Sequence, residues 1–190
     1  MRVLVALAAL MFAGTLHAEG PNMYAGGGFG QATAKSACDD IAGLPGVSCD
    51  DTATSVKGFF GYQVNPHLAL EAAVNGFGEV KAKGPQGTAK LTSAAVEGVL
   101  VGSLPLGSGI SLYGKFGMYF AHTEVDVNTT TEIDTFTDNN TDLTYGLGGR
   151  MDFSPNWAGR VEWQQYKSVG GSETGESDVN VVNVAVMYKF

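Results

Sequence analysis

Apolar and polar residues alternate along most of the chain after residue 22, in segments of about ten residues. The last segment shows this most clearly, because its alternate residues from position 182 to 190 are all apolar or aromatic. A period of two is typical of a β-strand whose two faces meet different environments. Eight such strands are predicted, at about residues 22–31, 54–64, 67–77, 91–102, 110–122, 143–153, 157–165 and 179–190.

The connections between these segments alternate in length. Three are short, at Asn65-Pro66, at residues 104–109 and at residues 154–156. An even number of strands with short links at one end and long links at the other is typical of an outer-membrane barrel. The sequence therefore predicts an all-β fold, an eight-stranded antiparallel up-and-down transmembrane β-barrel. The predicted long links span about residues 32–53, 78–90, 123–142 and 166–178.

The charged residues of the predicted strands fall on the face opposite the uniformly apolar one. Four are cations and four are anions, and this balance suits an enclosed interior, because unpaired buried charge is costly. The alternative is a soluble sandwich with mixed charge on its polar face. Aromatic residues near the short-link ends of the strands, such as Tyr62 and Trp157, favour the membrane barrel. The predicted lumenal salt-bridge network comprises Lys57, Glu71, Glu97, Lys115, Arg150, Asp152, Arg160 and Glu162.

The first 18 residues are typical of a secretory signal peptide. Arg2 provides a cationic start, residues 3–13 are all apolar or small, and Ala18 ends the segment with a small residue. We therefore expect residues 1–18 to be removed and residues 19–190 to form the outer-membrane barrel.

The two cysteines, Cys38 and Cys49, lie in a polar stretch of the first long link. The oxidising periplasm favours a disulfide between them. The alternative is half of a metal site, but ten intervening residues without a nearby histidine do not match a zinc pattern.

Composition and charge exclude two classes of protein. The 190 residues include 27 glycines, and 11 Lys and Arg against 19 Asp and Glu give a net charge of −8. An acidic chain is a poor candidate for nucleic-acid binding, which needs cations. No apolar run reaches the ~20 residues that a membrane-spanning helix requires.

Residues 123–142 contain six acidic residues and no basic one. One hypothesis is that this acidic segment contacts divalent cations or basic host surfaces. The alternative is a solvated acidic segment that limits aggregation.

Three motifs that suggest chemistry do not meet its requirements. The glycines at 26–30 are followed by no helix of a phosphate-binding loop, and Asp138, Asn140 and Asp142 lack the glycine and glutamate of a calcium loop. His122 has no nucleophilic serine beside it. The sequence therefore predicts no catalytic residue, no cofactor and no metal site, and a protein that is not an enzyme.

Two short motifs resemble the transmembrane domain of the outer-membrane protein A family. Residues 61–66 (GYQVNP), followed by Leu70-Glu71, resemble its second hairpin, and residues 160–164 (RVEWQ) resemble its seventh strand. The resemblance covers residues 22–190 and implies a barrel in the bacterial outer membrane. It includes no peptidoglycan-binding domain within these residues. The end of the chain resembles the assembly signal of outer-membrane barrels, here Val182, Val184, Val186, Tyr188 and Phe190.

The resemblance also implies contacts and partners. A lumenal glutamate on strand three of the family pairs with an arginine on strand seven, here Glu71 and Arg160. A second family pair is not kept, because the matching positions carry Val101 and Arg150, and Glu97 is the remaining candidate partner for Arg150. The implied partners are outer-membrane lipid and lipopolysaccharide, and the barrel-assembly machinery and periplasmic chaperones during biogenesis.

An eight-stranded barrel has an interior that side chains nearly fill. The leading hypothesis is therefore a small structural outer-membrane protein with a polar, filled lumen and acidic extracellular loops, serving surface interaction or envelope integrity. The alternatives are a narrow ion pore gated by the lumenal salt bridges and an adhesin that binds through its loops.

Overall fold

The computed structural model describes residues 22–34, 48–84, 87–129, 133–171 and 175–190. The predicted signal peptide, Cys38 and the side chain of Cys49 lie outside what is described. The signal peptide and the disulfide therefore stay predictions.

The described residues form one closed antiparallel sheet. Each long strand pairs with the next along the chain, and the first pairs with the last, so that the meander closes into an eight-stranded barrel. A ninth, three-residue strand (β2) extends the line of β3 and pairs with β4. This architecture confirms the predicted fold. The strands are β1 Met23–Ala34, β2 Ser48–Asp50, β3 Thr52–Asn65, β4 Leu68–Gly84, β5 Gly87–Gly107, β6 Ile110–Thr129, β7 Ile133–Asp152, β8 Trp157–Gly171 and β9 Gly175–Lys189.

The alternation of side chains follows the predicted faces. Large hydrophobic residues point outward and are exposed, as at Phe29 (64%) and Leu147 (65%), whereas their neighbours along each strand point into the barrel. A continuous apolar exterior of this kind is typical of a surface that lipid covers. No helix among the described residues is long and apolar enough to cross a membrane.

The strands extend beyond their predicted ends at one end of the barrel. Residues 78–84, 123–129 and 133–142 are strand rather than loop, and Asn128 still pairs with Ile133 near the tip of the β6–β7 hairpin. The prediction of long loops there is wrong, because backbone pairing continues into segments rich in charged and polar residues, although Val125 and Val127 still alternate with Glu124 and Asp126. We call this the hairpin end. The opposite end, with tight connections after β3, β5 and β7, is the short-turn end.

Two inward-facing glycines make room for tyrosine rings in the interior. A Cβ atom built on Gly61 would lie 2.1 Å from the Tyr24 ring, and one built on Gly148 would lie 2.4 Å from the Tyr113 ring. Only glycine, which has no side chain, leaves at these two positions the space that the tyrosine rings occupy in the barrel.

We expect Gly148→Ala to lower the free energy of unfolding by about 1–3 kcal/mol, because the new methyl group overpacks against Tyr113. The matched control is Gly149→Ala, since a Cβ at Gly149 meets no atom within 4 Å. Urea unfolding in lipid vesicles, followed by tryptophan fluorescence, measures both. Equal stability of the two variants would contradict this account of the tyrosine packing.

Candidate functional site

Six oppositely charged side chains meet in the barrel interior, and we call this cluster the charged layer. All six are nearly inaccessible, with residue exposures between 2% and 7%. Each occupies an inward position of its strand, and the six residues come from five different strands. Three cations face three anions, namely Lys57, Lys115 and Arg160 against Glu71, Glu97 and Glu162.

Lys115 lies at the centre of the charged layer, with no side-chain exposure. Its Nζ is 2.5 Å from Oε1 of Glu71 and 2.6 Å from Oε2 of Glu162. Arg160 contacts the same two carboxylates, with Nη1 2.8 Å from Oε2 of Glu71 and Nη2 3.2 Å from Oε2 of Glu162. The Glu71–Arg160 contact that the resemblance implied is therefore present in the structure.

Lys57 connects the third carboxylate to the rest of the charged layer. Its Nζ is 2.8 Å from Oε1 of Glu97 and 2.9 Å from Oε1 of Glu162. It also donates to Oε1 of Gln164 at 2.6 Å, while Nε2 of Gln164 donates to Oε2 of Glu97 at 2.8 Å. Sequence reasoning missed Gln164, although its position in β8, two residues after Glu162, places it on the same inward face.

Each carboxylate of the charged layer accepts a hydrogen bond from one tyrosine. The Tyr24 hydroxyl donates to Oε2 of Glu71 at 2.9 Å, and the Tyr113 hydroxyl donates to Oε2 of Glu162 at 2.9 Å. Tyr166 donates to Oε2 of Glu97 at 2.7 Å. These charge-assisted bonds satisfy oxygens that water does not reach. The sequence offered one signal for them, the inward parity of these tyrosines in their strands.

Apolar clusters flank the charged layer on both sides. Along β8 the inward residues run from Ala158 through Arg160, Glu162 and Gln164 to Tyr166, that is, from one cluster through the charged layer to the other. The short-turn cluster comprises Tyr24, Phe59, Ala69, Ala73, Val99, Val101, Tyr113, Ala158, Ala185 and Met187. The hairpin cluster comprises Ala32, Ala34, Phe77, Ala95, Tyr119, Ala121, Tyr166, Val169, Val179 and Val181.

Aromatic rings of the short-turn cluster also contact the cations. The guanidinium of Arg160 lies 4.6 Å from the ring centroid of Phe59 and 4.5 Å from that of Tyr113. Cation–π contacts at these distances stabilise a desolvated cation. The cluster therefore closes the barrel over the charged layer and adds to its electrostatic stabilisation.

Arg150 and Asp152, the other two predicted network residues, do not join the charged layer. They lie at the short-turn end, where Nε of Arg150 is 3.4 Å from Oδ1 of Asp152 and Lys189 is 3.1 Å from Oδ2 of Asp152. The expected pairing of Arg150 with Glu97 is wrong. The strand register places Arg150 opposite Ser111 in β6, whereas Glu97 lies opposite Tyr119, eight residues further along that strand.

The remaining candidates show no arrangement for chemistry. His122 has Nδ1 2.8 Å from Oδ1 of Asn139 and Nε2 3.4 Å from Oε1 of Glu124. No group of three or more His, Cys, Asp or Glu among the described residues is placed to hold a metal ion. The charged layer itself can hold the strands in one register, but its groups contact one another rather than an open cavity.

The residues of the predicted assembly signal lie at the outward face of β9. Val182, Val184 and Val186 are exposed, and Tyr188 packs edge-on against Trp157 with ring centroids 5.0 Å apart. The Phe190 ring contacts Tyr188 at 5.3 Å. Their role in recognition by the assembly machinery stays a prediction.

Comparisons with solved structures place the fold among outer-membrane barrels. The attachment invasion locus protein Ail of Yersinia pestis matches with a TM-score of 0.60 and 14% identity, over 90% of this chain and all of that chain. OprG of Pseudomonas aeruginosa matches with a TM-score of 0.60 and 16% identity, over 90% of this chain and 96% of that chain. Neisserial surface protein A matches with a TM-score of 0.59 and 14% identity, over 88% and 97% of the two chains.

The sequence itself matches outer membrane protein A of Yersinia pseudotuberculosis at 25% identity over 136 residues, which is 70% of this chain. The matched region spans 38% of the length of that relative. The outer membrane protein β-barrel domain family matches residues 3–190. The barrel, its apolar exterior and these matches agree, and the predicted location in the bacterial outer membrane is confirmed. The chain belongs to the outer membrane protein β-barrel domain family.

Proposed function

We propose that this protein is a structural outer-membrane barrel with a closed interior, which carries extended β-hairpins at the cell surface. The observation that supports this most strongly is the layered interior. A charged layer with three cations and three anions lies between two buried apolar clusters. Side chains fill such an interior, and its cross-strand ion pairs hold the barrel closed.

The alternative of a gated ion pore requires that the charged layer rearrange. Lys115 and Arg160 would have to leave Glu71 and Glu162, and each separation would leave a buried charge without compensation. We therefore favour the closed barrel over the pore.

A second candidate function is binding through the hairpin end. The backbones of β6 and β7 pair from Asn128 and Ile133 downward, so the described part of this hairpin presents a β-sheet surface. Its acidic residues lie on both faces: Glu124 shares the face of the outward Phe120, whereas Asp142 shares that of the inward Thr144. Residues 123–142 carry six acidic residues and no basic one, so the partner that fits is cationic.

This charge bears on whether the ligand of one structural relative would also bind here. Ail of Yersinia pestis was solved in complex with the heparin analogue sucrose octasulfate, a polyanion. An acidic hairpin repels a polyanion, so we propose that polyanion binding does not extend to the β6–β7 hairpin of this chain.

We expect Lys115→Met to lower the free energy of unfolding by about 3–5 kcal/mol, because Glu71 and Glu162 lose their shared buried cation. Adding Glu71→Gln to this variant is expected to restore part of the loss. Urea unfolding in vesicles measures both, with Lys167→Met at the hairpin end as the exposed-lysine control. A Lys115→Met loss no larger than that of the control would contradict the proposed role of the charged layer.

We expect no discrete conductance steps from the folded protein in planar lipid bilayers, because the layered interior closes the lumen. Heat-modifiable migration on the same sample shows that the protein is folded. The positive control is Arg160→Ala combined with Tyr113→Ala, which removes one cation and one ring from the same path. Regular unit steps in the wild type that change in Arg160→Ala would establish the pore and overturn the closed barrel.

We expect the protein in lipid nanodiscs to bind a polylysine-coated surface and to lose most of that binding in a Glu124→Gln, Asp126→Asn, Asp134→Asn variant, because these changes halve the acidic charge of residues 123–142. The charge-neutral control is Thr135→Ser, Thr137→Ser, Thr141→Ser. Salt is expected to weaken the binding. Equal binding by the two variants would contradict an electrostatic role for the hairpin.

A further inference from the structure

A cavity of about 350 Å³ opens at the short-turn end of the barrel. Its polar lining includes Arg150, Asp152 and Lys189, and the inward-facing Tyr24 and Met187 contribute its apolar lining. This volume lies within the ~300–1,000 Å³ range of small-molecule sites. We call this cavity the vestibule, and nothing in the closed-barrel function requires it.

The charged side chains of the vestibule are not balanced. Arg150 and Lys189 both contact Asp152, so two cations share one carboxylate. The charged layer above is balanced at three against three and has no anion to spare. Arg150 also lies directly opposite Arg160 across β7 and β8, so a like charge adjoins it. The side chains that line the vestibule therefore carry one excess positive charge.

Arg150 also has unused hydrogen-bonding capacity. Its Nε and Oδ1 of Asp152 are buried and lack a hydrogen bond, because their 3.4 Å contact is long and poorly aligned. Its Nη2 has only a 3.4 Å contact with the Ser111 hydroxyl. A guanidinium carries five donors, and its planar fork matches a carboxylate.

The vestibule ends at the charged layer rather than passing through it. A second cavity, of about 10 Å³, lies further in and is lined by Arg150, Arg160, Tyr24 and Tyr113. That volume accommodates about one water molecule. The space further in is too small for an organic ligand, so a ligand of the vestibule reaches it from the short-turn end.

We propose that the vestibule binds a small monocarboxylate with an apolar body, its carboxylate on Arg150 and Lys189 and its apolar part against Tyr24 and Met187. A single negative charge neutralises the excess cation, whereas a phosphate dianion would exceed it and lose more hydration on entry. The carboxylate comes from a free organic acid or from the carboxyl terminus of a peptide. Both sources present the same chemistry to the site.

The methionines of this chain provide a direct test by nuclear magnetic resonance. The protein is labelled with ¹³C at its methionine methyl groups in detergent micelles and titrated with butyrate into the millimolar range. We expect saturable shifts of Met187, which lines the vestibule at an inward position of β9, and none of Met118 and Met151, which face outward. Neutral butyramide, of matched shape, is expected to shift none of these three methionines.

Substitutions assign the shifts to the vestibule cations. We expect Arg150→Gln and Lys189→Gln each to weaken butyrate binding about tenfold or more, since each removes a charge-assisted hydrogen bond. Lys167→Gln, at the hairpin end, is the matched control and is expected to bind as the wild type does. Heat-modifiable migration verifies that each variant is folded, and Lys189→Gln decides the outcome if Arg150→Gln does not fold.

The proposal is overturned if Met187 does not respond to butyrate, if butyramide produces the same shifts, or if both glutamine variants bind as tightly as Lys167→Gln. Titration with N-acetylvaline and its amide distinguishes the two sources. Tighter binding of N-acetylvaline than of butyrate supports a peptide carboxyl terminus, and the reverse order supports a free organic acid.

Discussion

Charge compensation in an interior that water does not reach is the constraint on which this structure depends. Lys57 and Glu162 are 105 residues apart in the chain, yet their charged groups must meet within hydrogen-bond distance. Such contacts form only when the intervening strands are paired in one register and the barrel is closed. The same contacts that neutralise the buried charges therefore also specify the closed topology, whereas the apolar exterior only requires alternation.

Alternation along the chain was sufficient to predict which residues face inward, but not which of them touch. Six of the eight predicted network residues form the charged layer, and their parity in the strands was the signal. The partner of Glu97 depended on strand tilt and stagger, which place it beside Lys57 rather than Arg150. The partners of the tyrosine hydroxyls and of Gln164 likewise depend on strand tilt and stagger. The sequence pattern therefore indicates the face on which each residue lies, but not the residue that it contacts.

The sequence pattern also did not predict where the strands terminate at the hairpin end, and the reason there is different. Hydrophobic and polar residues alternate where the two faces of a strand meet different environments, with lipid or core on one face and water or the lumen on the other. In the β6–β7 hairpin, residues 123–128 still alternate, with Val125 and Val127 between Glu124, Asp126 and Asn128. Residues 134–142 are polar at every position except Phe136, and the signal disappears there. The backbone ladder continues nonetheless, because each added pair satisfies its own donors and acceptors.

The two ends of the barrel differ in charge, and a neutral interior separates them. Acidic residues concentrate on the β6–β7 hairpin, whereas the vestibule at the opposite end carries two cations to one anion. The charged layer between them is neutral, and apolar clusters enclose it on both sides. Its cations and anions contact one another rather than either end of the barrel. The two proposed binding surfaces therefore lie at the ends of the barrel, and the interior contributes stability to both.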